Sequence, residues 1–480
     1  MASMFSAALQ ISDLNDFITP SQECIKPINI QKKGNSSGSI LISEDGEYYE
    51  TNEGGSRQKL EKAKITLNDC LACSGCITSA ESVLISQQSH EEFYRILNEN
   101  KIQVEANNHD KMKVVVVSIS PQSTASLGAK YHLSFEDTAR RLQNFFYKLG
   151  VKFVFDTTIA REFALIENQK EFVYRYKVKD IQKGMLPMLS SACPGWICYA
   201  EKTHGDYILP YLSSVKSPQQ IMGSLIKDYL AQQLCIRPDQ IYHTTVMPCF
   251  DKKLEASRND FYSEKYDSRD VDCVITSIEV EAMLEKEGVR LDEITSASSA
   301  ASSQQNVFGT EFYSHKGSAS GAYCDQIFLY AAKELFGEEV VNMEYKTLRN
   351  QDLKEIVLEK NGEVLLRFAI ANGFRNIQNI VQKLKRGKST YHFVEVMACP
   401  SGCINGGAQV RAVDETPKEL LSKVEEIYHS LPARNSKENA VVQDLYERWL
   451  EGEDSLKCKQ MLYTQYHAVE KISSGLLIKW

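Results

Sequence analysis

The sequence predicts an α/β fold in which mostly parallel sheets are covered by helices. Two observations carry that expectation. From about residue 113 onward, continuous apolar runs of strand length alternate with segments of helical period, the pattern of strands buried on both faces. Three of those strands are followed closely by a cysteine in a loop that holds proline or glycine, so they end on a common chemistry.

The elements follow in chain order. Residues 1–30 hold apolar residues without a clear period. Residues 31–58, with Gly34-Asn35-Ser36-Ser37-Gly38 and Asn52-Glu53-Gly54-Gly55-Ser56, read as a flexible linker. Cys70-x2-Cys73-x2-Cys76 comes next, then a short apolar run at 83–86 and a polar helix near 89–100. Residues 114–119 form a strand that stops at Pro121. Ser134 is a good N-cap, and Phe135, Ala139, Leu142, Phe145, Phe146 and Leu149 keep helical spacing until Gly150. A strand at 151–155, a helix at 158–175, a strand at 186–189 and a helix at 218–234 are expected next. Strands at 244–247 and 271–276 and a helix at 277–287 follow. The Ser/Ala/Gln run at 295–305 reads as an unstructured loop, and a Gly-rich turn at 317–321 precedes a helix at 322–336. Residues 355–359 and 364–371 form a hairpin, because Asn361-Gly362 supplies positive φ in a tight turn. A basic helix at 374–386 ends at Gly387, a strand covers 391–397, and two helices follow residue 415. Three regions result: 1–110 with the linker and the first cysteine set, a body at 111–414, and a helical C-terminal segment with a tail at 415–480.

Composition limits the function. A chain of 480 residues suggests about two or three domains. Its 43% hydrophobic and 25% charged content is that of a soluble protein with an ample core. A net charge of −8 and a pI near 5.7 argue against nucleic acid as a partner. Met1-Ala2-Ser3-Met4-Phe5 lacks the features of a signal peptide, and the longest aliphatic run, 114–117, is too short to span a bilayer. Thirteen cysteines in such a chain are expected to be reduced thiols or metal ligands.

Those cysteines fall into two sets. Four thiolates per site is the ligand count of an iron–sulfur cluster. Cys193 lies in Ser-Ala-Cys-Pro-Gly-Trp, Cys249 in Met-Pro-Cys-Phe-Asp-Lys-Lys, and Cys399 and Cys403 in Met-Ala-Cys-Pro-Ser-Gly-Cys. Cys193, Cys249 and Cys399 follow three strands, so all should open on one edge of the sheet, where open α/β sheets build ligand sites. A single cysteine after a strand is most often a small core residue. Three in Pro- or Gly-flanked loops favour a cluster. For Cys70, Cys73 and Cys76 structural zinc competes with a cluster. No histidine lies near, and the triple spacing is that of ferredoxins. No fourth cysteine followed by proline continues the run, and Cys24 is the only unassigned cysteine upstream. Cys198, Cys235, Cys273, Cys324 and Cys458 read as core thiols, and the nine histidines form no pair or triad.

The second set resembles the iron-only hydrogenases, whose active cluster is held by Cys-Cys-Pro-x-Trp, Met-Pro-Cys-x-x-Lys and Met-x-Cys-Pro-x-Gly-Cys-x-x-Gly-Gly loops. The matching residues are Cys193-Pro194-Gly195-Trp196, Met247-Pro248-Cys249 with Lys252, and Met397 to Cys403 with Gly406-Gly407. Two departures redirect the reading. The first cysteine of the Cys-Cys-Pro loop, a proton relay in the hydrogenases, is Ala192 here, and only one N-terminal cluster motif is present. Both departures are similar to those of the hydrogenase-like cytosolic assembly proteins, the nuclear prelamin A recognition factor-like (Nar) family. That match extends to Gln22-Glu23-Cys24-Ile25-Lys26-Pro27, to Asp251-Lys252-Lys253-Leu254-Glu255 and to Trp480.

The resemblance implies an iron-only hydrogenase-like body with a small N-terminal ferredoxin-like cluster segment. It implies two [4Fe-4S] clusters, one on Cys24, Cys70, Cys73 and Cys76, the other on Cys193, Cys249, Cys399 and Cys403. It implies a non-enzymatic component of cytosolic iron–sulfur assembly that links an early scaffold to a late targeting complex, in the cytoplasm and with the nucleus as a second compartment. No nucleic acid and no membrane are expected as partners. Trp480 would be a partner-binding anchor, set in a tail whose penultimate Lys479 departs from the acidic or Ser residue usual in clients of the targeting complex. A hydrogenase-type redox enzyme and a two-cluster electron-transfer protein are the alternatives.

Overall fold

The computed structural model describes residues 85, 87–297, 307–309, 311–315, 317, 321–411, 415–434 and 439–468, together with three short strands before them. The chain divides into two units, Met1–Val83 and Leu84–Trp480. In the first, β1 (Ser39–Ile42), β2 (Tyr48–Thr51) and β3 (Arg57–Lys59) form an antiparallel ribbon in that order. These strands fall inside the segment whose composition reads as a linker.

The second unit opens with helix α1 (His90–Glu105) and is built on two sheets. The first sheet contains β4 (Val114–Ile119) and β5 (Phe153–Asp156), with β7 (Ile241–Met247) and β8 (Cys273–Thr276) on the other side of β4. Its order is β8-β7-β4-β5 and every pairing is parallel. Parallel strands need crossovers, and the crossovers put helices on both faces. Side chains of β4 divide accordingly. Val115, Val117 and Ile119 join a core with Phe93, Leu142 and Phe146, while Val116 points into a second, larger core with Phe153, Phe155 and Phe163. A continuous apolar run is what such a strand requires.

The second sheet takes β6 (Met188–Ser190), β9 (Lys346–Thr347), β10 (Leu353–Lys360), β11 (Glu363–Asn372) and β12 (Phe393–Met397) in the order β9-β10-β11-β12-β6. β10 and β11 are the expected hairpin, with Asn361 at φ +55° and Gly362 at φ +81° in its two-residue turn. β11, β12 and β6 run parallel. The strands that precede Cys193 and Cys399 therefore belong to this sheet, whereas the strand before Cys249 belongs to the other. The expectation of one sheet edge is corrected here. Apolar runs look alike whichever sheet they enter, and the pairing of β6 with β12 is a contact across roughly two hundred residues that no local pattern encodes.

Helices complete the layers. α2 (Pro121–Tyr131) and α3 (Phe135–Leu149) follow β4, α4 (Thr158–Val178) follows β5, and α5 (Pro194–Ile208) follows β6. α6 (Pro218–Ser224) continues through a π-helical turn at Leu225–Leu230. α7 (Asp251–Ala256) and α8 (Ser277–Lys286) follow β7 and β8, α9 (Tyr323–Phe336) precedes the second sheet, and α10 (Phe374–Lys385) joins β11 to β12. Ser134 Oγ caps α3 by accepting from Asp137 N at 3.2 Å, and Gly150 ends it at φ +104°.

The sequence pattern misses α2, α5 and α7. The stretch Pro121–Ala129 of α2 is buried on every side, so it has no polar face and no period. α11 (Pro417–His429), α12 (Ala440–Arg448) and α13 (Leu456–Leu462) make three helices after residue 415, one more than the pattern gave. They belong to the same unit as the sheets: Val442, Leu445, Trp449 and Leu462 lie in the larger core. Among the described residues no helix is long and apolar enough to cross a membrane.

One buried histidine sits at the heart of the first sheet. His243 on β7 is fully buried, with Nε2 2.8 Å from Ser118 Oγ and Nδ1 3.0 Å from the Asp270 carbonyl. Burial first, with Lys227 adding to it, pushes its pKa down to about 3 although the Asp270 carbonyl acts the other way. The unfolded chain binds this proton below about pH 6.5, and the fold refuses it. Stability from this site is full above that value and is lost as pH falls, at about 1.4 kcal/mol per pH unit. We expect denaturant titrations between about pH 6 and pH 4 to show that slope, and His243→Gln to lower it by about one proton's worth. A variant with the wild-type slope would show that His243 does not contribute it.

Candidate metal centre

Cys193 stands at the N-cap of α5, directly after β6, and is 8% exposed. Its backbone N–H donates to Ser191 Oγ at 3.0 Å, and Ser191 Oγ in turn donates to the Val396 carbonyl on β12. Cys249 leaves β7 through Pro248 and enters α7. Cys399 leaves β12, and Cys403 lies in the 3-10 turn Gly402–Asn405. The turn between them needs two left-handed residues, Ser401 at φ +58° and Gly402 at φ +72°. The Asp352 carboxylate holds this turn by accepting from Ser401 N at 2.6 Å.

The three loops interlock through backbone. Ala398 N donates to Cys193 Sγ at 3.4 Å, which joins the first loop to the third. A Cβ on Gly406 would lie 2.4 Å from the Pro248 carbonyl oxygen, the same oxygen that accepts from Ala408 N at 2.9 Å. The third loop therefore presses on the second with no room for a side chain. A Cβ on Gly195 would lie 2.8 Å from Asp251 Oδ2, which joins the first loop to the second. Four cysteines from two sheets are brought together in this way.

Electrostatics confirms their proximity. Burial pushes all four thiols up, Cys249 and Cys399 well above the ordinary thiol range and Cys403 to about 12. Cys193 also pushes up Cys249, Cys399 and Cys403, Cys403 pushes up Cys249 and Cys399, and Asp251 acts on Cys193, Cys249 and Cys399 in the same direction. Lys252 opposes this at Cys193 and Cys403. Its ammonium is buried, donates to Glu255 Oε2 at 2.7 Å and to Ser217 Oγ at 3.2 Å, and is held charged by Glu255 against the desolvation. Four thiolates cannot share this space without a cation between them.

The donor set suits an inorganic cluster. Backbone N–H groups are directed at sulfur, those of Ala398 and Trp196 at Cys193 and that of Gly407 at Cys399. Trp196, fully buried three residues after Cys193, has an indole N–H with no acceptor among the described residues. Sulfides of a cluster would accept such donors. Among the described residues no three His, Cys, Asp or Glu side chains converge closely enough to hold a single metal ion.

Cys24, Cys70, Cys73, Cys76 and Trp480 lie outside the described residues. Of the cysteines read as core thiols, Cys273, Cys324 and Cys458 are buried and Cys198 is half-buried. Cys235 is the exception. It is exposed, at φ +54° in the turn after the α6 region, where it touches no core. Ala192 is half-buried and packs against the larger core.

Sequence reasoning did not find the polar support beneath the Cys193 loop. Asn168 Oδ1 accepts from Ser190 Oγ and Ser213 Oγ, both at 2.8 Å. Ser213 Oγ also lies 2.6 Å from Glu171 Oε2, and Arg175 donates to Glu171 Oε1 through Nε and Nη2 at 2.9 and 2.7 Å. Asn168, Glu171 and Arg175 form a polar stripe at helical spacing along α4, which is otherwise largely buried. That stripe was the available signal.

Comparison with known proteins agrees with this geometry. Residues 113–407 match the iron-only hydrogenase large subunit, C-terminal domain, and residues 417–469 match the iron hydrogenase small subunit. An apo [FeFe]-hydrogenase from Chlamydomonas reinhardtii superposes with a TM-score of 0.66 at 27% identity, over 79% of this chain and 99% of that one. The cytosolic iron-sulfur assembly component 3 of Rattus norvegicus is 56% identical over 481 residues, with both chains covered completely. A cytosolic Fe-S cluster assembly factor of Xenopus tropicalis is equally similar over 485 residues, and a probable one of Anopheles gambiae is 54% identical over 482. The chain belongs to the hydrogenase-like cytosolic iron–sulfur assembly factors. Membership in this family accounts for a hydrogenase fold in a chain whose full-length relatives are named as iron–sulfur assembly factors rather than hydrogenases.

The interlock sets a test. Gly406→Ala places a methyl against the Pro248 carbonyl, which neither rigid loop can yield. Urea denaturation of the metal-free protein should show a loss of about 1–3 kcal/mol, the scale of overpacking. Unaltered stability would mean that the loops are looser than their contacts indicate.

Proposed function

We propose that this protein carries two [4Fe-4S] clusters and serves cytosolic iron–sulfur protein assembly by linking an early scaffold to a late targeting complex. The observation that carries the reading is the four-thiol site on three interlocked loops, in a chain whose full-length relatives bear the names of assembly factors. Cys193, Cys249, Cys399 and Cys403 would hold one cluster. Cys24, Cys70, Cys73 and Cys76 would hold the other, and Trp480 would anchor a partner. The protein would act in the cytoplasm and supply clusters to cytosolic and nuclear apoproteins.

The residues of this chain divide the work at the second site. The Ala398, Trp196 and Gly407 amides give fixed donors to sulfur, which favours the thiolate form of Cys193 and Cys399. Lys252 offsets negative charge from inside, and Glu255 with Ser217 keeps its ammonium in place. A bound cluster supplies charge neutralisation and an electron-accepting centre. Ala192 has no ionisable hydrogen where hydrogenases place their relay thiol, so the proton transfer that a hydrogenase reaction needs has no carrier at that position.

Two measurements test the proposal. Anaerobically reconstituted protein should hold about eight irons and eight sulfides per chain, as two four-iron cubanes require. Cys399→Ser and Cys70→Ser should each remove about half of that, with separate losses in the paramagnetic resonance spectrum. Zinc in place of iron after Cys70→Ser has no effect on iron content would overturn the first cluster. The purified protein should also evolve no hydrogen from a reduced viologen. Steady hydrogen production would overturn the assembly reading in favour of a redox enzyme.

A further inference from the structure

One helix end carries charge that its surroundings do not answer. Residues 374–388 hold Arg375, Lys383, Lys385, Arg386 and Lys388 with no Asp or Glu, in a chain of net charge −8. α10 spends its apolar face on the core through Phe374, Ile377, Ile380, Val381 and Leu384. Lys383, Lys385, Arg386 and Lys388 are all exposed around its last turn. The helix dipole favours cations there, but one or two satisfy it.

Among the described residues, the contacts of Lys383, Lys385 and Arg386 are with neutral or basic groups. Lys385 Nζ lies 3.1 Å from His204 Nδ1 and 5.9 Å from the centre of the Tyr207 ring, both on α5. Lys383 stands 5.6 Å over Tyr391, and Arg386 Nη2 donates to Gln382 Oε1 at 3.5 Å. Some exposed cations elsewhere meet carboxylates, as in Lys333–Glu339, Lys360–Glu338 and Arg434–Glu311. A lysine placed against a histidine and a tyrosine is positioned and still unneutralised.

The patch also has a neighbour. The segment after α13 lies along the body: Lys216 N donates to the Leu462 carbonyl and Thr464 N to the Ser214 carbonyl, both at 2.8 Å. His467 N then donates to Glu201 Oε1 at 3.0 Å. Ala468 ends this run against Gly205, where an added Cβ would come within 2.5 Å of the Ala468 Cβ. Gly205 adjoins His204 on α5.

We propose that the last turn of α10, with His204 and Tyr207, is a docking surface for an Asp/Glu-rich segment of a partner protein. Four cations lie within six residues, Lys383 and Lys385 in the last turn of α10, Arg386 at its cap and Lys388 just past it, a span suited to a short peptide segment. The field of the remaining chain is negative, which disfavours a long polyphosphate but is screened over about 8 Å at physiological salt. The inference does not depend on cluster loading or on the anchor reading of Trp480.

Fluorescein-labelled octaglutamate, titrated against the full-length protein by anisotropy, tests it. Binding should weaken steeply with salt. The K383E/K385E/R386E/K388E variant should bind at least roughly tenfold more weakly, as expected for reversed rim charges. The neutral K383Q/K385Q/R386Q/K388Q variant should lose binding in the same direction, with unaltered circular dichroism. A charge-matched control, K148E/K346E/K418E/K459E, should stay within about threefold of wild type, since local charge and not net charge is at issue. A chain truncated after Ala468 should keep octaglutamate binding, which separates this proposal from the tail reading. Equal binding by the patch variants, absence of salt-sensitive binding, or tighter binding of a short oligothymidylate would each overturn the proposal.

Discussion

The second cysteine site depends on one constraint, the close approach of the Pro248 carbonyl to Gly406. It ties the end of β7 in one sheet to the loop after β12 in the other. Strand ends from separate sheets have no hydrogen-bond ladder to align them, so backbone contacts between loops must do it. Gly195 against Asp251 and Ala398 N against Cys193 Sγ close the triangle. Each contact is specific in shape and leaves no slack. The thiols are thus set by the scaffold before any ligand arrives, and preorganisation of this kind is what a polynuclear centre requires of its protein.

Around that triangle the charges are arranged at short range. Asp251 raises the proton affinity of the neighbouring thiols while Lys252, one residue on, lowers it at Cys193 and Cys403. Both start α7, so a single helical turn delivers opposite charges to the same space. Glu255, a turn further, fixes the lysine. Beneath the Cys193 loop, Asn168, Glu171 and Arg175 supply neutral and paired groups in place of free charge. The strand before the loop therefore rests on hydrogen-bonded Asn168 and on Glu171 paired with Arg175.

Much of this was legible in the sequence. The apolar runs gave β4 and β7, Ser134 and Gly150 gave both ends of α3, and Asn361-Gly362 gave the hairpin, because each is a local signal with a local cause. Cys193, Cys249, Cys399 and Cys403 were legible as a set from their Pro- and Gly-bearing loops. Helices α2 and α7 were not, since burial on all sides removes the period from the first and shortness from the second. The division into two sheets was not, because strand pairing is chosen by tertiary packing. The lone Cys235 was misread for the same reason that Asp251 and Glu255 were not weighed: one residue in isolation carries no environment with it.

β6 has a consequence in time. Its ladder partner is β12, so Met188 waits for Phe393, although Leu189 bridges Leu212 on its other side. At about 5–20 residues per second, a ribosome needs roughly 10–40 s to make the intervening chain. Through that interval the side of β6 that β12 covers stays unpaired, with Cys193 just beyond the strand end. The thiol is then exposed to oxidants and to stray metal ions, and only completion of the last third of the chain shelters it. Translation speed through residues 200–390 thus becomes a determinant of how many molecules emerge undamaged.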